Sequence, residues 1–324
     1  MIDQINTNKK IPTTVFSGFL GSGKTTIISS LIDEIQSKGQ QVIYIKNEIG
    51  DSDVDGKIIE GKGIKTKELL NGCICCTLVG PFINSINEIV ESFSPDRIII
   101  EASGAADPSA LALMISSHPH LTRDGVIGII DVVNFEGYKD LSVTAQNQTK
   151  FTDLLVFNKV ELASLEQKKA VVGYVRELNS NSPIIEAQNG KISSDLVFGL
   201  DSKDLSNLLE KYKDEDHHNE SERSESDHVE KDKIQTFNLN PLGKFNAEEL
   251  KMLLSELPKN IFRVKGFVKM EDEKFHLFNT VGKRTDFAEL EIENVNQNLM
   301  IFIGFMAHDI KSEIKSKIEL ILKK

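Results

Sequence analysis

The sequence lacks the features that mark membrane and secreted proteins. No stretch of its 324 residues approaches the roughly 18 consecutive apolar residues that a membrane-spanning helix requires. Residues 1–10 are polar and lack the apolar core of a signal peptide. Tryptophan is absent as well, which excludes no class of function. We therefore expect a cytoplasmic protein with no membrane association.

Cysteine is also scarce, and acidic residues outnumber basic ones. The only cysteines are Cys73, Cys75 and Cys76, and an odd, clustered set argues against a disulfide framework and for metal or redox chemistry. Lysine and arginine together number 38 against 49 acidic residues, so the formal net charge is -11. This balance argues against non-specific binding to nucleic acid.

Short apolar runs alternate with helical patterns over the first two-thirds of the chain. The helical patterns include residues 24–38 and 165–178, and the runs are residues 14–16, 41–45, 97–100, 126–130, 154–157 and 183–185. The runs are continuous rather than alternating, which is typical of strands buried on both faces. Residues 1–202 are therefore predicted to form an α/β domain around a parallel sheet.

The rest of the chain has a different character. Residues 203–233 are crowded with acidic residues and nearly free of apolar ones, so we predict a disordered linker. Its histidines, His217, His218 and His228, either collect metal ions weakly or are incidental, and both interpretations stay open. Residues 234–324 are predicted to form a small α+β domain with a mostly antiparallel sheet. Its strand patterns lie at 234–239, 262–270, 275–281 and 299–305, and its helical patterns at 247–257 and 310–322.

The segment from Gly18 to Thr25 fits the pattern G-x-x-x-x-G-K-[ST] at every fixed position. A strand pattern precedes it and a helical pattern follows, which is the setting of a phosphate-binding loop. Lys24 is expected to contact the β- and γ-phosphates, and the Thr25 hydroxyl to bind Mg²⁺. The predicted nucleotide contacts here are Gly18, Gly21, Ser22, Gly23, Lys24, Thr25 and Thr26.

A second nucleotide element follows the apolar run at 154–157. Asn158, Lys159 and Glu161 have the form of a guanine-specificity loop, in which an acidic side chain accepts hydrogen bonds from the guanine N1–H and exocyclic amine. Glu161 is one methylene longer than the usual aspartate. The alternative is a plain junction between a strand and a loop.

Glu101 follows another buried strand pattern, at 97–100. A carboxylate in this position is expected to hold Mg²⁺ or its water, so Glu101 joins Lys24 and Thr25 as a candidate catalytic residue. The alternative is that Glu101 caps the helix that begins after Pro108.

The cysteine cluster occurs in the sequence Gly72-Cys73-Ile74-Cys75-Cys76. Soft thiolates prefer Zn²⁺, Cu(I) or similar ions. Three of them do not complete a tetrahedral site, so a further ligand or an open position is implied. The alternative is a buried structural cluster, because free cysteine often packs as a small apolar residue. Candidate additional ligands are the carboxylates Glu48, Asp51, Asp53 and Asp55.

Together these elements resemble the CobW family of metallochaperone GTPases. The resemblance rests on the phosphate-binding loop, on Asn47-Glu48-Ile49-Gly50, on the G-C-x-C-C sequence at 72–76, on E-A-S-G-A-A-D-P at 101–108, and on the 158–161 loop. The segment from Ile234 onward is similar to the small second domain of the family. One departure is Lys46, which stands where some relatives carry a carboxylate.

The resemblance implies a GTPase that uses GTP and Mg²⁺ and binds Zn²⁺ (or Co²⁺) at Cys73, Cys75 and Cys76 in the GTP-bound state. Hydrolysis to GDP and phosphate would then release the metal ion to a client metalloprotein. Zinc is favoured because of the softness of thiolate ligands.

Two other classes of function remain open. A non-catalytic metal sensor or buffer would bind nucleotide for stability alone. A P-loop small-molecule kinase would explain the phosphate-binding loop but neither the cysteines nor the 158–161 loop, and the six arginines are scattered rather than clustered. The client and the oligomeric state, including a homodimer, are not determined by the sequence.

Overall fold

The computed structural model describes residues 10–46, 65–68, 79–104, 107–135, 137, 143–200, 234–290 and 297–323. The chain divides into two compact units, Met1–Asp201 and Ser202–Lys324, and each is described by itself. Several sequence-predicted features lie outside the described residues: the segment 203–233, the sequence 47–50, the three cysteines, and the candidate ligands Glu48, Asp51, Asp53 and Asp55.

The first unit contains a seven-stranded sheet in which all neighbouring strands are parallel, in the order β3-β2-β4-β1-β5-β6-β7. Strands β1, β2, β4 and β6 are buried along their whole length. This burial is why their sequences are continuous apolar runs rather than alternating ones. The strands are β1 (Ile11–Ser17), β2 (Val42–Lys46), β3 (Lys65–Glu68), β4 (Arg97–Glu101), β5 (Leu121–Asp131), β6 (Leu154–Asn158) and β7 (Ile184–Glu186).

Helices alternate with these strands along the chain. Two of them begin at recognisable side-chain caps: Asp107 caps α3 with Pro108 at its first position, and Ser164 and Gln167 form a capping box at α5. The helices are α1 (Lys24–Ser37), α2 (Val79–Phe93), α3 (Pro108–Ser117), α4 (Val143–Lys150), α5 (Leu165–Leu178) and α6 (Ser194–Val197), with a 3₁₀ turn at Val160–Leu162.

The second unit has a five-stranded antiparallel sheet in the order β11-β10-β9-β12-β8. Apolar residues of the strands and of two helices form its core, among them Phe237, Leu250, Val264, Phe302 and Ile314. The elements are β8 (Ile234–Leu239), α7 (Ala247–Ser255), β9 (Ile261–Lys269), β10 (Phe275–Val281), β11 (Arg284–Leu290), β12 (Leu299–Phe305), a 3₁₀ turn (Ala307–Ile310) and α8 (Lys311–Ile321).

The predicted fold class is confirmed: a parallel α/β sheet and a separate antiparallel α+β sheet. Two strands were missed by the sequence analysis. Strand β3 is short, polar and at the sheet edge, and β11 carries charged residues that weaken its alternating pattern. Strand β11 pairs directly with β10 through a two-residue turn at Gly282 and Lys283, where Gly282 has φ 59°. In the part of the chain that the structure describes, no helix is both long and apolar enough to cross a bilayer.

Candidate nucleotide-binding site

The sequence-predicted nucleotide residues meet at one edge of the parallel sheet. Because the strands run in the same direction, their carboxyl ends lie together. Strands β1, β4, β5 and β6 end there at Ser17, Glu101, Asp131 and Asn158. In the register, Phe16 lies beside Glu101, and Asp131 lies beside Asn158. The chain thus brings the phosphate-binding loop, the candidate Mg²⁺ carboxylate and the candidate guanine loop to a single edge.

The phosphate-binding loop depends on glycine at two crowded positions. Gly18 has φ +146°, and a Cβ there would lie 2.3 Å from the Ile129 carbonyl oxygen. Gly23 has φ +91°, and a Cβ there would lie 2.3 Å from Asn158 Nδ2. Both contacts are far inside van der Waals distance, and both φ values disfavour L side chains. The glycines therefore let the loop pass close to β5 and β6.

Lys24 is the first residue of helix α1. Its side chain is buried, and its ammonium group contacts the phosphate-binding loop. Lys24 Nζ donates to the carbonyl oxygens of Gly18 at 3.0 Å and Phe19 at 3.2 Å. The positive end of the helix lies at the same place, because the first backbone N–H groups of a helix have no partner within it. A buried cation beside a helix N-terminus is an arrangement that suits a phosphate group.

Three buried oxygen atoms around the loop have no hydrogen-bond partner among the described residues. They are Ser17 Oγ, Ser22 Oγ and Asn158 Oδ1. An unpaired buried polar atom costs on the order of 1–3 kcal/mol, so a group of them at one place is unusual in a folded domain. Their position at the loop fits a site that completes its hydrogen bonds with a polar ligand.

Thr25 and Glu101 are in direct contact. Thr25 Oγ1 lies 3.2 Å from Glu101 Oε1 and 3.3 Å from Oε2, and the Tyr44 hydroxyl donates to Glu101 Oε2 at 2.5 Å. Lys46 lies beside Glu101 in the register and is also buried. Hydroxyl and carboxylate oxygens are the hard ligands that Mg²⁺ prefers, so this pair fits the ion.

Glu101 is buried, and its environment perturbs it. Burial raises the pKa of the Glu101 carboxyl. The Tyr44 hydrogen bond, the charges of Lys24 and Lys46 and the Thr25 hydrogen bond oppose this effect without cancelling it. Glu101 does not cap helix α3, because Asp107 occupies the N-cap position and accepts from the Ser109 backbone N–H at 2.9 Å.

The Asn158 to Glu161 loop is fastened to the phosphate-binding loop at two successive carbonyls. Asn158 Nδ2 donates to Ser22 O at 2.9 Å, and Lys159 Nζ donates to Gly21 O at 3.0 Å. Glu161 Oε2 accepts from the Asn189 backbone N–H at 3.2 Å. The contacts of Asn158 and Lys159 join this loop to a segment more than 130 residues away in the sequence.

Three parts of the site were missed by the sequence analysis. The turn after β7 contains Asn189, with φ 52°, and Gly190, which lies against Thr26. Tyr44 contacts Glu101 from β2, and Asp131 accepts from Lys159. Asp131 had a detectable signal, since it is a polar residue directly after a buried strand, as Glu101 and Asn158 are. The contact of Tyr44 had none.

The predicted metal ligands are the cysteine cluster and two carboxylates. Cys73, Cys75 and Cys76, with Glu48 and Asp51, lie outside the described residues. Within the described ranges, no three His, Cys, Asp or Glu side chains form a group that could hold a metal ion.

A parallel sheet with this loop, lysine and threonine at its carboxyl edge defines a P-loop nucleotide-binding protein. Residues 12–186 match the family model described as CobW/HypB/UreG, nucleotide-binding domain, and residues 234–319 match that of the cobalamin synthesis protein cobW C-terminal domain. The chain therefore belongs to the CobW family.

Several characterised relatives are similar in sequence. The zinc chaperone CobW of Sinorhizobium sp is 30% identical over 316 residues, covering 86% of this chain and 87% of that protein. The zinc chaperone YjiA of Escherichia coli (strain K12) is 29% identical, covering 58% of this chain and 61% of that protein. The zinc-regulated GTPase metalloprotein activator 1 of Schizosaccharomyces pombe is 31% identical, covering 59% of this chain and 49% of that protein. A crystal structure of Zn(II)-bound YjiA GTPase aligns over 97% of this chain and 100% of that one, with 20% identity and a TM-score of 0.45.

Proposed function

We propose that the protein is a GTP-hydrolysing metallochaperone that binds a transition metal, most simply Zn²⁺, and transfers it to a client metalloprotein. The observation that carries the nucleotide half is the contact between Thr25 and Glu101 beside a loop held by Asn158 and Lys159. The metal half is supported by the thiolate chemistry of Cys73, Cys75 and Cys76 and by relatives that are named zinc chaperones.

The phosphate groups of GTP would take the place of the carbonyls that Lys24 now contacts. Lys24 would bind the β- and γ-phosphates, and the loop from Gly18 to Gly23 would offer backbone N–H groups. Thr25 and Glu101 would hold Mg²⁺, which when bound neutralises charge on the phosphate oxygens. Ser22 and Thr26 are the remaining proposed contacts of this segment.

Hydrolysis would form a bond between a water oxygen and the γ-phosphorus. The bond from the γ-phosphorus to the β–γ bridging oxygen breaks, and GDP and inorganic phosphate leave with the protons of the water. Lys24 would stabilise the charge that develops on the bridging oxygen, because a buried ammonium is worth more there than in water. Glu101 would hold the Thr25 hydroxyl in place through the reaction.

Guanine would be recognised at the carboxyl end of β6. Glu161 would accept from the guanine N1–H and exocyclic amine, a donor pair that adenine does not present. Asn158 and Lys159 would set the distance of this carboxylate from the phosphates, since both bind carbonyls of the phosphate-binding loop.

The metal ion would be cargo rather than a fixed part of the protein. Cys73, Cys75 and Cys76 leave a tetrahedral site incomplete, and an open position suits transfer. Glu48 and Asp51 are proposed additional ligands. Both residues follow β2 in the sequence, and Tyr44 and Lys46 of β2 lie beside Glu101. A conformational change at Glu101 on GTP hydrolysis would therefore be transmitted along this segment and alter metal binding.

The test is a Zn²⁺ titration of the purified full chain, in competition with a chromogenic chelator, with and without a non-hydrolysable GTP analogue. We expect the analogue to tighten Zn²⁺ binding about tenfold, within the usual range of coupling between sites. Cys75→Ser should weaken Zn²⁺ binding in both conditions. Lys24→Ala is the control, because it keeps all three thiols and should remove only the effect of the analogue.

Equal Zn²⁺ affinity in all of these conditions would contradict the metallochaperone proposal. A protein that binds Zn²⁺ through its thiols but shows no GTP turnover dependent on Thr25 or Glu101 would instead be a metal sensor or buffer. Preference for ATP together with an acceptor substrate would indicate a small-molecule kinase.

A further inference from the structure

The Lys159 side chain makes two polar contacts through its ammonium group. Its ammonium lies between two acceptors, Gly21 O at 3.0 Å and Asp131 Oδ2 at 2.5 Å. About one-third of the side chain is exposed (32%), whereas only 11% of the Asp131 side chain is. A lysine that is exposed to this degree retains much of its rotamer freedom unless specific contacts remove it.

The Asp131 carboxylate is itself held firmly at the end of β5. Its Oδ1 accepts from the backbone N–H groups of Val133 at 3.0 Å and Asn134 at 3.2 Å, and its Oδ2 accepts from Asn134 Nδ2 at 2.7 Å. Strands β5 and β6 are also joined where they end, since Val132 N donates to Asn158 O at 3.1 Å. Oδ1 thus accepts from backbone N–H groups of the turn, whereas Oδ2 accepts from the side chains of Asn134 and Lys159.

The electrostatics agree with an ionised carboxylate at this position. Partial burial raises the pKa of Asp131, but the hydrogen bonds from Lys159, from the Asn134 side chain and from the turn outweigh it. The net pKa of Asp131 therefore lies below its ordinary value.

The same turn contacts the phosphate-binding loop a second time. Phe135, four residues after Asp131, packs against Phe19 with ring centroids 6.1 Å apart, and its ring centroid also lies 6.2 Å from that of Tyr174. Asp131 therefore belongs to a turn that supports the phosphate-binding loop both through Lys159 and through Phe19.

We propose that Asp131 is a specificity-determining positioning residue for guanine nucleotides, which acts by fixing Lys159 between β5 and the Gly21 carbonyl. The inference rests on the proposed GTP-binding function and deepens it. A guanine nucleotide spans the phosphate-binding loop and Glu161, and the Asp131–Lys159–Gly21 link sets the spacing between these two points. Pre-organised spacing lowers the entropy that binding must overcome.

The test replaces Asp131 by asparagine in the full chain and measures the affinities for fluorescent methylanthraniloyl-GTP, -GDP and -ATP. Asparagine keeps an oxygen that can cap the turn but removes the negative charge facing Lys159. We expect affinity for GTP and GDP to fall equally, by about tenfold, with a smaller fall for ATP, so that base selectivity drops. An equal loss for GTP and GDP is expected because the link acts at the base loop and not at the γ-phosphate.

Asp153→Asn is the matched control. Asp153 also accepts from a cation and a backbone N–H, Arg123 Nη2 at 2.7 Å and Val126 N at 2.8 Å, but it precedes β6 at the opposite edge of the sheet. Its replacement should leave all three nucleotide affinities unchanged.

A double-mutant cycle with Lys159→Met separates positioning from a purely structural role. If Asp131 acts through Lys159, Asp131→Asn should change GTP affinity little in the Lys159→Met background. Additive losses would overturn the inference, and so would wild-type GTP affinity and selectivity in Asp131→Asn alone. Should Asp131→Asn fail to fold, Asp131→Ser, which also offers the turn an oxygen acceptor, is expected to give the same non-additive loss. A wild-type chain with no guanine preference would overturn the proposed function together with this inference.

Discussion

At the scale of single residues, Glu101 combines burial with charge. Its carboxylate is in contact with Thr25 and Tyr44, and its pKa is raised by burial despite those hydrogen bonds. An acid whose pKa is raised by folding stabilises the folded state most below the ordinary carboxylate pKa. That contribution is lost as the pH rises through the raised value. Ionisation of Glu101 therefore destabilises the nucleotide-free protein relative to its protonated form.

Replacing Glu101 with glutamine should remove the destabilising effect of the buried charge. We expect Glu101→Gln to raise the free energy of unfolding of the nucleotide-free protein at pH 7 by about 1 kcal/mol. This size is typical of a stabilising substitution at a functional position. The gain over wild type should shrink toward acidic pH, where the wild-type carboxyl is protonated. GTP turnover should fall at the same time.

Calorimetric melting from pH 4.5 to 8, without Mg²⁺ or nucleotide, measures this difference. Glu186→Gln is the control, because Glu186 ends β7 in the same sheet and is paired with Lys168 at the surface. The control should show no gain in stability at pH 7. A gain for Glu101→Gln that is independent of pH would contradict the assignment of the effect to the Glu101 charge.

At the scale of elements, a buried ion pair holds the segment that follows helix α6. Arg97 at the start of β4 and Asp124 in β5 lie 2.5 Å apart, and both side chains are 1% exposed. The pair also binds both backbone groups of Gly199: Asp124 Oδ1 accepts from its N–H at 2.9 Å, and Arg97 Nη2 donates to its carbonyl at 2.8 Å. The Arg97 guanidinium lies 4.5 Å from the Phe198 ring centroid. The segment after α6 is thereby held against the sheet.

Breaking this pair should be strongly destabilising. Asp124→Asn removes the charge that compensates a fully buried guanidinium, and we expect a loss of about 3 kcal/mol in the free energy of unfolding. Asp153→Asn is the comparison, because its partner Arg123 is 23% exposed and water can solvate it; a loss of about 1 kcal/mol is expected there. Urea denaturation followed by far-UV circular dichroism measures both. Equal losses would show that burial does not decide the effect.

At the scale of the whole molecule, the described residues of the candidate nucleotide site all belong to the first unit. The phosphate-binding loop, Glu101, the 158–161 loop and the turn after β7 all belong to Met1–Asp201. The second unit has its own core between its sheet and helices. Removing residues 234–324 should therefore leave the kcat and KM for GTP within about twofold of the full chain, because a domain with its own core can fold without its neighbour.

Steady-state phosphate release by the truncated and full-length chains tests this expectation. The truncated protein should also melt in a cooperative transition. Loss of hydrolysis in a truncated chain that still folds would mean that the second unit takes part in the reaction. We propose that the second unit instead helps to select the client metalloprotein.

The accuracy of the sequence analysis differed between the parts of the fold. The parallel sheet was predictable because strands buried on both faces must be continuously apolar, as at 97–100 and 154–157. Strands β3 and β11 were not, because an edge strand with polar side chains has little burial to impose a pattern.

The sequence by itself determined the family of this protein and the candidate residues of its nucleotide site. The loop from Gly18 to Thr25, the carboxylate of Glu101 and the 158–161 loop each carry a local requirement of backbone conformation or charge, and local requirements appear as short motifs. Only the tertiary structure decided which side chains support them. Tyr44 reaches Glu101 across 57 residues, and Asp131 reaches Lys159 across 28. Those contacts depend on strand order and register, which arise from packing of the whole sheet and leave no fixed spacing along the chain.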